Sequence, residues 1–303
     1  MTETEVQAGG RTVRITHPDK VLFPDDGITK GELADYYVRV AEVMVPHVRD
    51  RPLTQHRWPD GLTGEDFWHK QIPKYFPEWI ERVEVETNKG PQQQVLANDP
   101  AVLAYLANQN CVTPHTWLSR RDRLNEPDLI IVDLDPASER DFSAVRAAAR
   151  LLREILTDLG LVPFVKTTGS KGLHVTVPIR PERDFESVHG FAAALAGVLV
   201  AEDPGRLTTE FYKRKRKGRI FVDIHRNAYA QTAVPPYAVR ARAGAPVATP
   251  IEWDELGRAT PSRFTIRNLD RRLKQRGDPW AGMHRRARSL GRAEGKLRKL
   301  MSP

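Results

Sequence analysis

Cysteine is almost missing from this chain: Cys111 is the only one in 303 residues. An intrachain disulfide is therefore impossible, and a cysteine-rich zinc site is excluded with it. Cys111 lies in the apolar stretch AYLANQNCVT, the setting of a small buried thiol rather than a nucleophile. Long apolar runs are missing too, and none approaches the ~18 residues a membrane span needs. The N-terminus, MTETEVQAGGRTVRI, has no signal-peptide core, so a cytoplasmic protein with no membrane partner is expected. The histidines show no HExxH-like metal spacing, and no GxxxxGK[ST] phosphate loop occurs.

What is present is ordinary globular material, 40% hydrophobic and 28% charged, with a net charge of +8. The basic excess is concentrated. Lys213 to Arg219 reads KRKRKGR. After Gly282 come Arg285, Arg286, Arg288, Arg292, Lys296, Arg298 and Lys299 against a single Glu294. Nucleic acid is a natural partner for such patches. For either run alone, a solvated charged face is an equal reading.

Along the chain, residues 1–10 are polar and Gly-ended and are expected to be disordered. Thr29 and Glu32 fit a capping box opening a helix that carries Leu33, Tyr36, Tyr37, Val40 and Met44 at helical spacing and ends at Pro46. Residues 51–92 read as short strands and loops, and 99–108 as a short helix. Leu129 to Val132 is a β-branched run of the buried-strand type. A long amphipathic helix follows, with Gly160 as its C-terminal cap. Further strands are expected at 162–166, 173–179, 219–224 and 237–242, a helix at 185–201, and a basic helix or tail at the end. Strands meeting in hairpins make the fold class α+β rather than doubly wound.

Chemistry concentrates at strand ends. Asp133 and Asp135 stand two apart at the end of an apolar strand, so their carboxylates share one face. Two anions that close repel, and a hard divalent cation such as Mg²⁺ or Mn²⁺ is the usual relief. A capping or turn role is the plainer alternative. Asp223 likewise closes an apolar strand, and a third carboxylate is what two-metal phosphoryl transfer needs. Between them lies Thr167-Thr168-Gly169-Ser170-Lys171-Gly172-Leu173-His174. Its glycines let amides turn toward an anion, while Ser170, Lys171 and His174 suit a triphosphate. A plain hairpin turn is the competing reading. Arg240 and Arg242 are expected on one strand face, where an anion would separate them. His115 and Lys166 are softer candidates.

The order VDLDP, KTTGSKGLHVTVPI, GRIFVDIHRNAYAQTAVPPYAVRARAGAPV resembles the polymerase domain of bacterial ligase D, within the archaeo-eukaryotic primase superfamily. HPDKVLFPDDGITKGELADYY, RPLTQHRWPDG, HTWLSR and GDPWAGM extend the resemblance over residues 11–283. It implies a primase–polymerase α+β domain with a central antiparallel or mixed sheet. An N-terminal subregion of about 11–120 and a catalytic subregion of about 121–283 are expected, with a basic tail at 284–303. It implies that Asp133, Asp135 and Asp223 are catalytic and hold two Mn²⁺ or Mg²⁺ ions. Ser170, Lys171, Gly172 and His174 would bind the NTP or dNTP, with His115, Lys166, Arg240 and Arg242 nearby. Lys20 and Lys30 match a pair that grips a 5′-phosphate, and Phe67 or Trp68 matches aromatics that stack on template. Where the family usually has Asn, this chain has His17.

The expected activity is templated nucleotidyl transfer, possible priming included, at short gaps or break ends with a taste for ribonucleotides. Gapped or broken DNA is the expected partner of a nucleoid-associated monomer, with a separate ligase and the end-binding Ku protein beside it. The rivals are a non-catalytic DNA end-binding factor and another DxD metal-dependent phosphotransfer enzyme. Ala137 after Pro136 departs from the dehalogenase-type phosphatase pattern, and a glycosyltransferase leaves the basic runs unexplained.

Overall fold

A computed structural model describes residues 2–88, 90–138 and 142–301. In chain order its first elements are β1 (Glu3–Ala8), β2 (Arg11–Thr16), β3 (Val21–Phe23), β4 (Ile28–Thr29), α1 (Lys30–Val48), β5 (Pro52–Arg57), β6 (Phe67–His69), β7 (Arg82–Val85), β8 (Gln92–Leu96), α2 (Pro100–Asn108) and β9 (Cys111–Thr116). They continue as β10 (Leu129–Asp135), α3 (Phe142–Asp158), β11 (Phe164–Thr167), β12 (Leu173–Pro178), α4 (Phe185–Glu202), β13 (Leu207–Thr208), β14 (Ile220–Asp223), β15 (Pro250–Ile251), α5 (Leu269–Arg276) and α6 (Leu290–Met301). The chain is α+β, as its patterning indicates.

Two compact units result. The residues up to Asp122, with 232–249 and 264–278, form the first; 123–231, 250–263 and the residues from Pro279 onward form the second. The division differs from a single boundary near residue 120. Two later segments return to the first unit, because Tyr237, Ala238, Val239 and Val247 are wholly buried and find their core there.

In the first unit, residues 3–8 are ordered rather than disordered. β1 pairs with β2 in register, Val6 opposite Val13, across a Gly9-Gly10 turn in which both glycines have positive φ. Ala8, Val13 and Ile15 are buried, so this polar-looking hairpin has one apolar face. Helix α1 opens with the expected capping box, since the Thr29 side chain accepts from the Glu32 amide and the Glu32 carboxylate accepts from the Thr29 amide. It runs two residues past Pro46, which sits in the last turn and forfeits only one backbone bond there. Strands β6, β5, β8 and β7 form a sheet, with β9 joined to β5. Residues 237–242 form no strand: the Arg242 amide donates to the Arg240 carbonyl at 2.8 Å, a local turn in place of a ladder bond.

The second unit is built on a six-stranded sheet of order β13-β14-β10-β12-β11-β15, antiparallel except for the β13–β14 pair. Strand β10 is central because its Leu129–Val132 run is apolar on both faces. Helix α3 buries Val145, Ala149, Leu152 and Leu156, and Gly160 with φ +83° ends that stretch. The basic tail is part of this unit and not a separate appendage. In α6, Leu290, Ala293 and Leu297 fall at i, i+3 and i+7 among the cations and are buried.

Candidate active site

Strand register in the second unit assembles the site. Asp133 of β10 lies opposite Asp223 of β14 on one side and opposite His174 of β12 on the other. His174 in turn lies opposite Lys166 of β11. Residues directly opposite in a ladder point to the same face, with Cβ atoms about 4.5–5.5 Å apart. One face of the sheet therefore carries the row Asp223, Asp133, His174, Lys166: two acids, then two bases. Asp135, two residues on from Asp133, joins the same face.

The electrostatics follow from this row. Burial pushes the Asp133 carboxyl up, but His174, Arg226 and Lys166 outweigh it, and it titrates below its ordinary value. The His174 Nε2 atom is 3.5 Å from Asp133 Oδ2. Asp135 goes the other way: burial raises it first, and the charge of Asp133 raises it further against the pull of Arg216, Lys171 and Lys213. A carboxylate held up by its like-charged neighbour fits a divalent cation in hard oxygen ligands. Asp223 accepts a bond from the His225 amide at 2.8 Å. Among the described residues no three acidic or histidine groups already enclose an ion-sized point. The chemistry and facing of the carboxylates suit the ion, with Asp223 turned to its own backbone.

The sign of the Asp135 shift gives a test. A carboxyl whose folded pKa is raised favours the protonated form, so the ionised form opposes folding at neutral pH. Asp135→Asn should therefore raise the melting temperature of the metal-free protein, whereas most substitutions lower it. Differential scanning calorimetry in chelator checks this; a lower melting temperature would contradict the like-charge account.

The loop 167–174 is a hairpin between β11 and β12. The Thr168 amide and hydroxyl both donate to the Gly172 carbonyl, at 3.2 and 3.1 Å, and the Gly172 amide bonds to the Thr168 hydroxyl oxygen. Gly169 has φ +64°. At Gly172 a Cβ would stand 2.3 Å from the Leu134 carbonyl oxygen and 3.4 Å from Asp133 Oδ1, so glycine is required by close approach. Ser170 and Lys171 are half-buried on the same loop.

Some contributors were not singled out from the sequence. Arg216 sits inside the run KRKRKGR, where Lys213, Arg214, Lys215 and Lys217 are exposed and Arg216 is buried. Its guanidinium lies 3.9 Å from the Phe221 ring centroid, donates to the Phe211 carbonyl at 2.8 Å and reaches Asp135 Oδ2 at 3.5 Å. Composition marks the run but not which member folds inward. Asn227 is wholly buried and clamps β10: its side chain accepts from the Ile131 amide at 2.9 Å and donates to the Ile131 and Ile224 carbonyls at 2.7 Å. Asn227→Ala should destabilise the protein by about 2–3 kcal/mol, read as a shift in urea midpoint. The only earlier signal was its place in the block Asp223-Ile224-His225-Arg226-Asn227.

The other candidates belong to the first unit. His115 lies opposite Thr54 in the β5–β9 ladder. Its ring is 4.8 Å from Trp68, and Trp68 stacks at 3.8 Å on His56, which also abuts Trp58. Burial holds His56 below its ordinary pKa although Asp66 pulls it up, and the charge of Arg240 adds to the lowering. Phe67 and Trp68 are exposed on β6. The Lys30 amide donates to the Lys20 carbonyl at 2.8 Å, which holds the two residues together. Lys30 is buried, and burial followed by the charge of Lys20 lowers its pKa. His17 beside them has φ +49°, a left-handed conformation that Asn adopts readily.

A six-stranded sheet presenting paired acids and bases in this order has the architecture of a primase–polymerase catalytic domain. The DNA-bound polymerase domain of Mycobacterium tuberculosis ligase D matches it with a TM-score of 0.85 and 31% identity, over 91% of this chain and 99% of that one. The LigD primase–polymerase domain matches residues 29–280, and the chain belongs to that family. The multifunctional non-homologous end joining protein LigD of Mycolicibacterium smegmatis is 34% identical over 268 residues. The bifunctional non-homologous end joining protein LigD of Bacillus subtilis is 29% identical over 279 residues. Those matches cover 88% and 90% of this chain but only 35% and 44% of the relatives, so the chain spans less than half of their length.

Proposed function

We propose that this chain is a DNA-repair nucleotidyltransferase that extends a primer strand by copying a template at short gaps or break ends. The observation that carries the reading is the sheet row Asp223, Asp133, His174, Lys166, with Asp135 on the same face and the Ser170–His174 hairpin beside it. Asp133, Asp135 and Asp223 would hold two Mn²⁺ or Mg²⁺ ions, which supply activation of the primer 3′-hydroxyl and charge neutralisation on the triphosphate. The protein's own residues provide position and charge. Ser170 and Lys171 bind triphosphate oxygens, Gly172 keeps their loop close against β10, and His174 and Lys166 lie next along the row to meet the leaving pyrophosphate. His115, Arg240 and Arg242 contribute to nucleotide binding by their match to the family's blocks. Pyrophosphate, rather than phosphate or a nucleoside diphosphate, is the product that distinguishes this reading from a phosphatase or glycosyltransferase.

Lys20 and Lys30 bind a 5′-phosphate on the downstream strand, and Phe67 or Trp68 stacks on a template base without sequence preference. The protein prefers ribonucleotides, works at the nucleoid as a monomer, and acts with a ligase and with an end-binding protein of the Ku type. Primer extension on a labelled gapped duplex tests the core of this. Addition should require template, improve with a downstream 5′-phosphate, favour ribonucleotides and be stronger in manganese. No addition under any of these conditions, with DNA binding retained, would turn the reading toward an end-binding factor. Lys30→Met should abolish the 5′-phosphate stimulation and raise the melting temperature, because it removes a buried cation whose charged form opposes folding. Unchanged stimulation would remove Lys30 from phosphate recognition.

A further inference from the structure

At the edge of the second unit's sheet formed by β11 and β15, a cleft of about 640 Å³ opens between the end of α3, these strands and the segment 279–286. Its bed is apolar, with Leu161, Phe164 and Ile251 among the lining residues. Trp253 forms one wall. Its indole N–H donates to the Pro163 carbonyl at 2.9 Å, and the Arg153 guanidinium lies 4.9 Å from its ring centroid. Arg153, Arg285 and Arg286 line the cleft against a single carboxylate, Glu252. All three arginines are exposed, and among the described residues none has a carboxylate within ion-pair distance.

The cleft lies beyond the acids. In the order β13-β14-β10-β12-β11-β15, two strand spacings, about 10 Å, separate β10 with Asp133 and Asp135 from β11, and three separate β14 with Asp223. Lys166 of the row is on β11 itself, next to Val165 of the cleft lining. An occupant need not touch the three acids.

We propose that this cleft docks an acidic peptide segment of a partner protein, with an aromatic or branched apolar side chain on the bed and flanking Asp or Glu residues on the three arginines. Volume and lining favour that occupant. Cavities of about 300–1,000 Å³ with an apolar floor and a few polar groups hold compact ligands. Trp and Arg are the side chains most enriched in protein-interface hot spots. A nucleic-acid backbone fits less well, since its phosphates gain nothing from an apolar concavity. Trp253 offers a base one ring face at most, because Arg153 lies over the other. Negative charge on the peptide answers the unbalanced arginines, and their planar forks suit bidentate carboxylate contacts.

The test is peptide display on the intact protein, followed by fluorescence anisotropy with the enriched peptides. Enrichment of sequences with one aromatic or branched apolar residue flanked by Asp or Glu is expected. The combined Arg285→Glu and Arg286→Glu variant should weaken their binding at least tenfold. Thr157→Trp, which fills the cleft from an exposed helical position without changing charge, should do the same. Both variants should leave primer extension on the gapped duplex unchanged, which separates failure of this proposal from failure of the polymerase reading. Enrichment of neutral or basic peptides, no enrichment, or binding indifferent to both variants overturns it. So does displacement of the peptide by a single-stranded oligothymidine at comparable concentration, which would make the cleft part of a nucleic-acid surface.

Discussion

Asp133→Asn should lower templated nucleotide addition at least ~10³-fold, about 4 kcal/mol of transition-state stabilisation, while DNA binding persists. Asparagine keeps the shape of the side chain and its place in β10. It removes the charge that faces both neighbouring strands, opposite Asp223 in one ladder and 3.5 Å from His174 in the other. It also removes the like charge that raises Asp135, so the tendency of the carboxylates to take up a divalent cation falls as a unit. Groups that act as a unit show non-additive losses. The double variant Asp133→Asn, Asp223→Asn should therefore be little worse than either single one. Single-turnover primer extension in manganese, with DNA affinity by anisotropy alongside, measures both quantities. Activity retained in Asp133→Asn would end the catalytic reading of the sheet row. Independent, multiplying losses would mean that the acids serve separate tasks.

The second large effect is expected from a residue with no side chain. Gly172→Ala forces a Cβ to 2.3 Å from the Leu134 carbonyl oxygen, a backbone atom of the strand that carries the acids. Strands β10 and β12 are paired there, Leu134 opposite Leu173, so neither can withdraw without breaking ladder bonds. The overpacking should cost about 3 kcal/mol. For a unit of this size that is roughly 6–12 °C in melting temperature. Because Asp133 Oδ1 is also 3.4 Å from the new methyl, catalysis should fall by about 10²-fold even in the fraction that remains folded. Gly190→Ala is the matched control. It lies in α4 with nothing within 4 Å of its Cβ position, and it should stabilise the protein by about 0.5–1 kcal/mol through helix propensity. Equal behaviour of the two variants would show that the close approach at Gly172 is relieved at no cost.

Several features were legible because local physics decides them. The run Leu129–Val132 has the β-branched, apolar mark of a buried strand and forms one, and Thr29 with Glu32 fits a capping box and makes one. The spacing of Asp133 and Asp135 put both carboxylates on one face before any partner strand was known. The N-terminal hairpin is not legible from composition, because Gly9-Gly10 suits a flexible end as well as a turn. Residues 237–242 alternate like a strand but turn locally at Arg240 and Arg242, and periodicity carries no information about that. Arg216 was indistinguishable from the cations around it, since charge alone does not say which side chain an aromatic ring and two carbonyls will capture.

By itself the sequence determined the material of the site: three strand-end acids, a glycine-containing loop with Ser170, Lys171 and His174, and an excess of positive charge. Those are properties of neighbours along the chain, set by side-chain alternation and backbone freedom. Only the tertiary structure decided which of them meet. The register of β10 against β12 and β14 puts Asp133 between His174 and Asp223, residues 41 and 90 positions away in sequence, and no local pattern encodes that pairing. The same long-range pairing brings His174, Arg226 and Lys166 to Asp133 and lowers it, whereas Asp135 is raised by its burial and then by Asp133, a neighbour already given by the chain.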